Sequence, residues 1–90
     1  MEVGRNYTGL KVKIEWIDSC VSNTEWVLAN DFNFKDCSPI QVDTFGKVVK
    51  QTDEYIVIAQ NVGKNPLEYC NLMTIPLGCV KSINEITILN

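Results

Sequence analysis

The sequence contains no histidine, and this absence removes most of the common catalytic arrangements. Imidazole is the usual general base at neutral pH and the commonest metal ligand in proteins. Serine–histidine and cysteine–histidine nucleophile pairs, and most catalytic zinc sites, are therefore excluded within a single chain. The adjacent carboxylates Asp53 and Glu54 occupy a turn, where acidic pairs are typically solvated. We expect a non-enzymatic protein that uses no cofactor.

Long apolar runs, clustered glycines and an excess of basic residues are also missing. No stretch approaches the roughly 18 apolar residues of a membrane span, and no apolar segment follows a basic start, so we expect neither a membrane helix nor a secretory leader. The five glycines are scattered, which excludes a phosphate-cradling glycine loop. Eight Lys and Arg against eleven Asp and Glu give a net charge of −3, which disfavours RNA and anionic membranes as partners. These features predict a cytoplasmic protein.

Four cysteines are present, but their spacing is not that of a metal site. Long and unequal gaps separate Cys20, Cys37, Cys70 and Cys79, whereas a zinc knuckle places its two cysteines two to four residues apart. No metal site is predicted. Four free thiols are expected in a reducing compartment, and a Cys70–Cys79 disulfide across a hairpin is the alternative.

Alternation of apolar and charged residues indicates strands. Leu10, Val12, Ile14 and Trp16 alternate with lysine and glutamate, which places the apolar set on one face of a strand and Trp16 in the core. No segment sustains the i, i+3, i+4, i+7 pattern of a helix. We therefore predict a single all-β domain over residues 1–90, a small, strongly bent barrel of five to six short strands with one helical turn near residues 76–79.

Turn-forming residues divide the rest of the chain into short elements. Further strands are expected at residues 25–28, 40–49, 55–59 and 72–75, with Val80 and Ile83 closing the fold and Ile86 and Ile88 in a last strand or tail. Loops and turns are expected at residues 30–39, 51–54 and 61–66, the first of them anchored by Phe32 and Phe34. Gly46 inside its strand predicts a bulge or bend. The apolar run 55–59 predicts burial on both faces.

Three segments follow one another in a recognisable order: Gly46-Lys47-Val48-Val49, then residues 53–58, then residues 75–83. A bent glycine strand, an acidic turn, a hydrophobic strand and a final pair around a short turn resemble the second half of Sm-like proteins, a family of SH3-like barrels. The resemblance covers roughly half of the chain. It implies an SH3-like barrel and, as one possible function, an RNA-binding ring. The insertion at residues 19–39 and the Met73-Thr74-Ile75 segment, which is neither basic nor aromatic, depart from the family pattern.

A second set of motifs is similar to short phage and prophage accessory proteins. It consists of Trp16-Ile17-Asp18, a later Trp26, and Ile75-Pro76 followed by the closing Ile83. This resemblance implies a phage-encoded anti-defence factor that works in the cytoplasm of the host cell.

Aromatic residues and lysines outside the expected core are the candidate binding groups. They are Trp26, Phe32, Phe34, Lys35, Lys47, Lys50 and Tyr55. Aromatic rings stack on bases and lysines position phosphates, so the set suits a small nucleotide. It suits a hot spot for a host protein equally well.

The expected function is therefore binding, either sequestration of a small nucleotide signal or blockage of a host protein. Self-association is expected because the apolar strand 55–59 exceeds what one small domain can bury. An Sm-like RNA-binding ring and a structural phage component are the alternatives.

Overall fold

The computed structural model describes residues 4–20, 25–31, 33–34 and 37–87, and the strands among them form one antiparallel sheet. The elements in chain order are β1 (Lys11–Asp18), β2 (Ile40–Gln51), β3 (Tyr55–Gly63), β4 (Glu68–Pro76), a 3-10 helix (Leu77–Cys79) and β5 (Val80–Glu85). The strand order across the sheet is β4-β3-β2-β1-β5, so β4 and β5 are its edges. The all-β class and the helical turn near the C-terminus are confirmed, whereas the sheet is open in the described part of the chain.

β1 forms where the alternation predicts it, and its apolar face lines the core. Val12 and Ile14 are fully buried, and Trp16 is 8% exposed. The indole N–H of Trp16 donates to Thr44 Oγ1 at 2.9 Å, which satisfies two buried polar groups at once. The other buried members of the core are Tyr7, Val48, Ile56, Ile58, Ile75 and Ile83.

The segment before β1 contributes a core residue that the sequence did not indicate. Tyr7 is 2% exposed. Its backbone N–H donates to Gln51 Oε1 at 2.9 Å, and Gln51 Nε2 donates to the carbonyl oxygen of Arg5 at 2.9 Å. The guanidinium of Arg5 lies 4.6 Å from the centre of the Tyr7 ring. One glutamine at the end of β2 therefore holds the N-terminal segment against the sheet.

The predicted reversal at residues 51–54 is confirmed. The backbone N–H of Thr52 donates to the carbonyl oxygen of Tyr55 at 2.9 Å. The hydroxyl of Thr52 accepts the N–H groups of Glu54 and Tyr55, each at 3.1 Å. The Thr52 hydroxyl therefore accepts hydrogen bonds from backbone N–H groups of the turn.

β2 contains a bulge, but not at Gly46. The register with β3 shifts between Val48 and Lys50, whereas Gly46 pairs regularly with Val12. A Cβ atom at Gly46 would overlap the Cγ2 atom of Ile58 and lie 2.7 Å from the carbonyl oxygen of Ala59. The glycine is thus required by the close approach of β3.

Two predicted elements are wrong. Residues 25–28 form no strand; Trp26 is 104% and Leu28 72% exposed, because no described strand pairs with them. Residues 61–66 are not a loop throughout: β3 continues to Gly63 and β4 begins at Glu68, since each strand of the hairpin supplies the other's backbone partners.

The ends of other predicted elements also differ from the structure. The strand expected at residues 72–75 is the second half of the longer β4. Phe34 is 61% exposed, so its ring is not a buried anchor for the insertion. Phe32 and Ile88 lie outside the described residues.

No helix in the described ranges has the length and apolar character needed to cross a membrane.

Candidate anion-binding groove

Two lysines face each other across the β1–β2 ladder. Lys11 of β1 lies directly opposite Lys47 of β2. The carbonyl oxygen of Lys11 accepts the N–H of Ile86 at 2.8 Å, so the polar backbone groups of Lys11 point away from β2. The pair is therefore of the non-hydrogen-bonded kind, in which the Cα atoms lie about 4.5 Å apart and the side chains are closest. Like charges in such a pair destabilise a sheet.

The next lysine of β1 on the same face is neutralised, whereas this pair is not. Lys13 Nζ lies 3.3 Å from Glu15 Oε1 and 3.9 Å from Asp43 Oδ2. The hydrogen bond from Lys13 lowers the pKa of the Glu15 carboxyl from its ordinary value. Among the described residues, no carboxylate oxygen lies within 4 Å of the Nζ atom of Lys11 or Lys47. Within the described ranges, the opposed pair therefore carries two positive charges without a partner ion.

These two lysines border a groove of about 550 Å³. Lys64, the first residue after β3, adds a third ammonium group to its rim. None of the ten described residues that line this lysine groove is acidic. Its apolar lining comes from Phe45, Ala59, Val62 and Ile86. The volume falls in the range of roughly 300–1,000 Å³ that is usual for small-molecule sites.

The chemistry of the lysine groove matches an anion that carries a flat apolar part. Ammonium groups bind phosphate oxygens through charge-assisted hydrogen bonds. Phe45 keeps 54% of its surface exposed, so its ring can stack on a ligand. Gly46, between Phe45 and Lys47 in the sequence, lines the groove with backbone atoms alone.

The residues selected from the sequence are spread over three parts of the molecule. Lys47 lines the groove. Lys50 and Tyr55 form a separate pair near the β2–β3 turn, where Lys50 Nζ lies 5.4 Å from the centre of the Tyr55 ring. Trp26 and Phe34 lie in the exposed insertion between β1 and β2, beyond the opposite end of the β1–β2 ladder from Lys47. Phe32 and Lys35 are outside the described residues.

The structure adds Lys11, Phe45 and Lys64 to the candidate residues. The alternation in β1 could have placed Lys11 on the solvent face, and the spacing of Phe45 and Lys47 on either side of Gly46 puts both on one face of β2. Their convergence depends on the β1–β2 register, which the sequence does not show. The sequence predicts that Lys64 lies in a loop, and it does not show where that loop lies relative to β2.

The cysteines form no metal site in the described part of the chain. Cys20, Cys37, Cys70 and Cys79 are free, and the first three are exposed. No group of three or more metal-ligating side chains occurs among the described residues. The sulfur of Cys20 donates a hydrogen bond to the carbonyl oxygen of Ser38 at 3.0 Å, at the base of the insertion.

No family model, curated protein or solved structure matches this chain.

Proposed function

We propose that the protein is non-enzymatic and binds a small phosphate-bearing ligand with a planar ring, such as a nucleotide, in the lysine groove. The observation that carries this proposal is the opposed pair Lys11 and Lys47, which has no carboxylate within 4 Å among the described residues. A phosphate between the two ammonium groups replaces their repulsion with charge-assisted hydrogen bonds. The chain carries eleven acidic residues. None of those that the structure describes lies within 4 Å of the ammonium group of Lys11 or Lys47, which distinguishes this pair from Lys13.

Isothermal titration calorimetry with ATP as the probe tests this function. We expect binding to the unmodified protein and a loss of about tenfold or more in affinity for Lys47→Gln, because a hydrogen bond to a charged group contributes about 1.5–3 kcal/mol. Lys81→Gln is the matched control, since Lys81 is an exposed lysine of β5 that does not line the groove. Absence of binding at millimolar ATP would contradict the proposal, as would an equal loss for both variants.

A second candidate function is blockage of another protein by the insertion between β1 and β2. Its support is the complete exposure of Trp26, since tryptophan is enriched in interface hot spots. Trp26→Ala should abolish capture of a single host polypeptide while leaving the circular dichroism spectrum and ATP binding unchanged. Unchanged capture by this variant would exclude the insertion as the binding element.

We further propose that the fold is of the Sm-like, SH3-like barrel type. The glycine-containing β2, the turn at residues 52–54, the apolar β3 and the 3-10 helix between β4 and β5 follow in the order that the sequence resemblance implies. Phage origin, an anti-defence role and host cytoplasmic localisation stay predictions that depend on the sequence motifs alone.

A further inference from the structure

The β3–β4 hairpin extends beyond the rest of the sheet. Pairing between β2 and β3 ends at Lys47 and Ala59, whereas pairing between β3 and β4 continues to Gly63 and Glu68. Residues 60–71 therefore form a two-stranded arm that no third described strand covers. Asn71, with φ of 58°, departs from the extended conformation within this arm. A two-stranded ribbon is only marginally stable in water unless something packs against it.

The arm exposes apolar side chains that the remaining sheet does not bury. All residues from Glu68 to Leu72 are exposed. Leu67 is 63%, Tyr69 42% and Leu72 58% exposed. Exposed apolar residues that cluster on one element of a small domain indicate an interaction surface.

The outer edge of β4 also presents backbone groups that no described strand pairs with. The N–H of Leu77 donates to the carbonyl oxygen of Glu54 at 2.8 Å, in register with the β3–β4 ladder. Since successive residues of an antiparallel strand point their N–H and C=O groups to opposite sides, Leu72 and Thr74 direct theirs outward. Cys70 pairs with Asn61 in the same register in which Leu72 pairs with Ala59, so the ladder with β3 resumes on the other side of Asn71.

The charges of the two edges distinguish them. β4 has no charged residue between Glu68 and Pro76, which stand at its two ends. β5 is shorter and carries Lys81 and Glu85. Natural edge strands are usually protected from pairing by charge, by proline or by shortness. β4 lacks such protection over its central seven residues, whereas β5 is protected by its charges and its short length.

We propose that β4 pairs with β4 of a second copy of this chain, antiparallel and about a two-fold axis at Leu72. In this register Cys70 faces Thr74 of the partner strand, and each Glu68 faces the other copy's Pro76. The uncharged central residues of the two strands then lie opposite each other. The two Glu68 residues lie at opposite ends of the paired strands, about 27 Å apart, because eight residues of extended strand separate them. A two-fold contact needs a self-complementary surface, which an uncharged strand with charges and proline at its ends provides.

Two substitutions of opposite charge at Leu72 test this dimer, with analytical ultracentrifugation as the measurement. We expect the unmodified protein to be dimeric, and Leu72→Lys and Leu72→Glu each to weaken the dimer by about tenfold or more, because identical charges would face each other at the axis. An equimolar mixture of the two variants should dimerise again. Asn84→Lys on the β5 edge is the control and should leave the dimer unchanged.

Three results would overturn the proposal. One is a monomeric unmodified protein at concentrations up to several hundred micromolar. Another is an oligomer that Asn84→Lys disrupts and Leu72→Lys does not, which would indicate β4–β5 pairing. The third is a mixture of the two Leu72 variants that stays monomeric. If the variants fail to fold, amide hydrogen exchange of the unmodified protein decides: protection of Cys70, Leu72 and Thr74 should rise with protein concentration, and unchanged exchange contradicts the dimer.

Discussion

A side chain at position 46 would collide with β3, because a Cβ atom there would overlap Ile58 Cγ2 and lie 2.7 Å from the carbonyl oxygen of Ala59. We expect Gly46→Ala to destabilise the protein by about 1–3 kcal/mol or more, since backbone must move to make room. Gly78→Ala is the matched control; no atom lies within 4 Å of the added methyl. Urea unfolding followed by tryptophan fluorescence measures both. Equal stabilities of the two variants would show that β2 and β3 are not in close contact at this point.

The Trp16–Thr44 hydrogen bond makes a second prediction at the scale of single residues. Thr44 is 4% exposed, and its hydroxyl accepts the indole N–H at 2.9 Å. Thr44→Val keeps the shape but leaves the indole N–H buried without a partner, which costs about 1–3 kcal/mol. Thr87→Val, at an exposed position, should change the free energy of unfolding by less than about 0.5 kcal/mol. A Thr44→Val protein as stable as the control would contradict the buried hydrogen bond.

At the scale of elements, a lysine two residues away on the same strand, β1, has the largest effect on the titration of Glu15. Lys13 lowers the pKa of this carboxyl in the folded protein. A lowered native pKa means that the ionised form favours folding. The stabilising contribution is therefore complete above the pKa of Glu15 in the unfolded chain and is lost as pH falls through the native pKa. The contribution is small because Glu15 and Lys13 are partly exposed.

Replacing Lys13 tests this arrangement. Lys13→Gln should raise the pKa of Glu15 in the folded protein toward its ordinary value, because the largest cause of the shift is removed. An NMR titration of the side-chain carboxyl carbon measures the pKa, with Lys64→Gln as a control on a different element. A pKa that is unchanged in Lys13→Gln and moved in Lys64→Gln would contradict the contact between Lys13 and Glu15.

Elements with strong local patterns were predictable, and those that depend on a distant partner were not. The alternation of β1 and the turn at residues 51–54 are local features, and both are present. Residues 25–28 have the β-prone composition of a strand but no partner among the described strands. β3 and β4 extend through residues of low β-propensity, because the hairpin partner supplies their hydrogen bonds.

At the scale of the whole molecule, a net negative charge coexists with a local positive surface. The chain has a net charge of −3, yet three of its eight basic residues line one groove without an acidic neighbour in the lining. Lys47 could be selected from the sequence as a lysine that accompanies candidate aromatic residues. Lys11 and Lys64 could not be selected from the sequence. The β1–β2 register places Lys11 at the groove, and the extension of the β3–β4 hairpin places Lys64 there.

The most direct test of the central claim is an NMR titration of the labelled protein with ATP, adenosine and inorganic triphosphate. We predict that ATP shifts the amide signals of Lys11, Phe45, Lys47 and Lys64 together, and that Lys81 and Trp26 do not move. Triphosphate should shift the lysines alone, adenosine should bind most weakly, and the ATP affinity should fall as salt rises toward 0.5 M because the contacts are ionic. Shifts confined to the Trp26 insertion, or no shifts at millimolar ATP, would contradict the account.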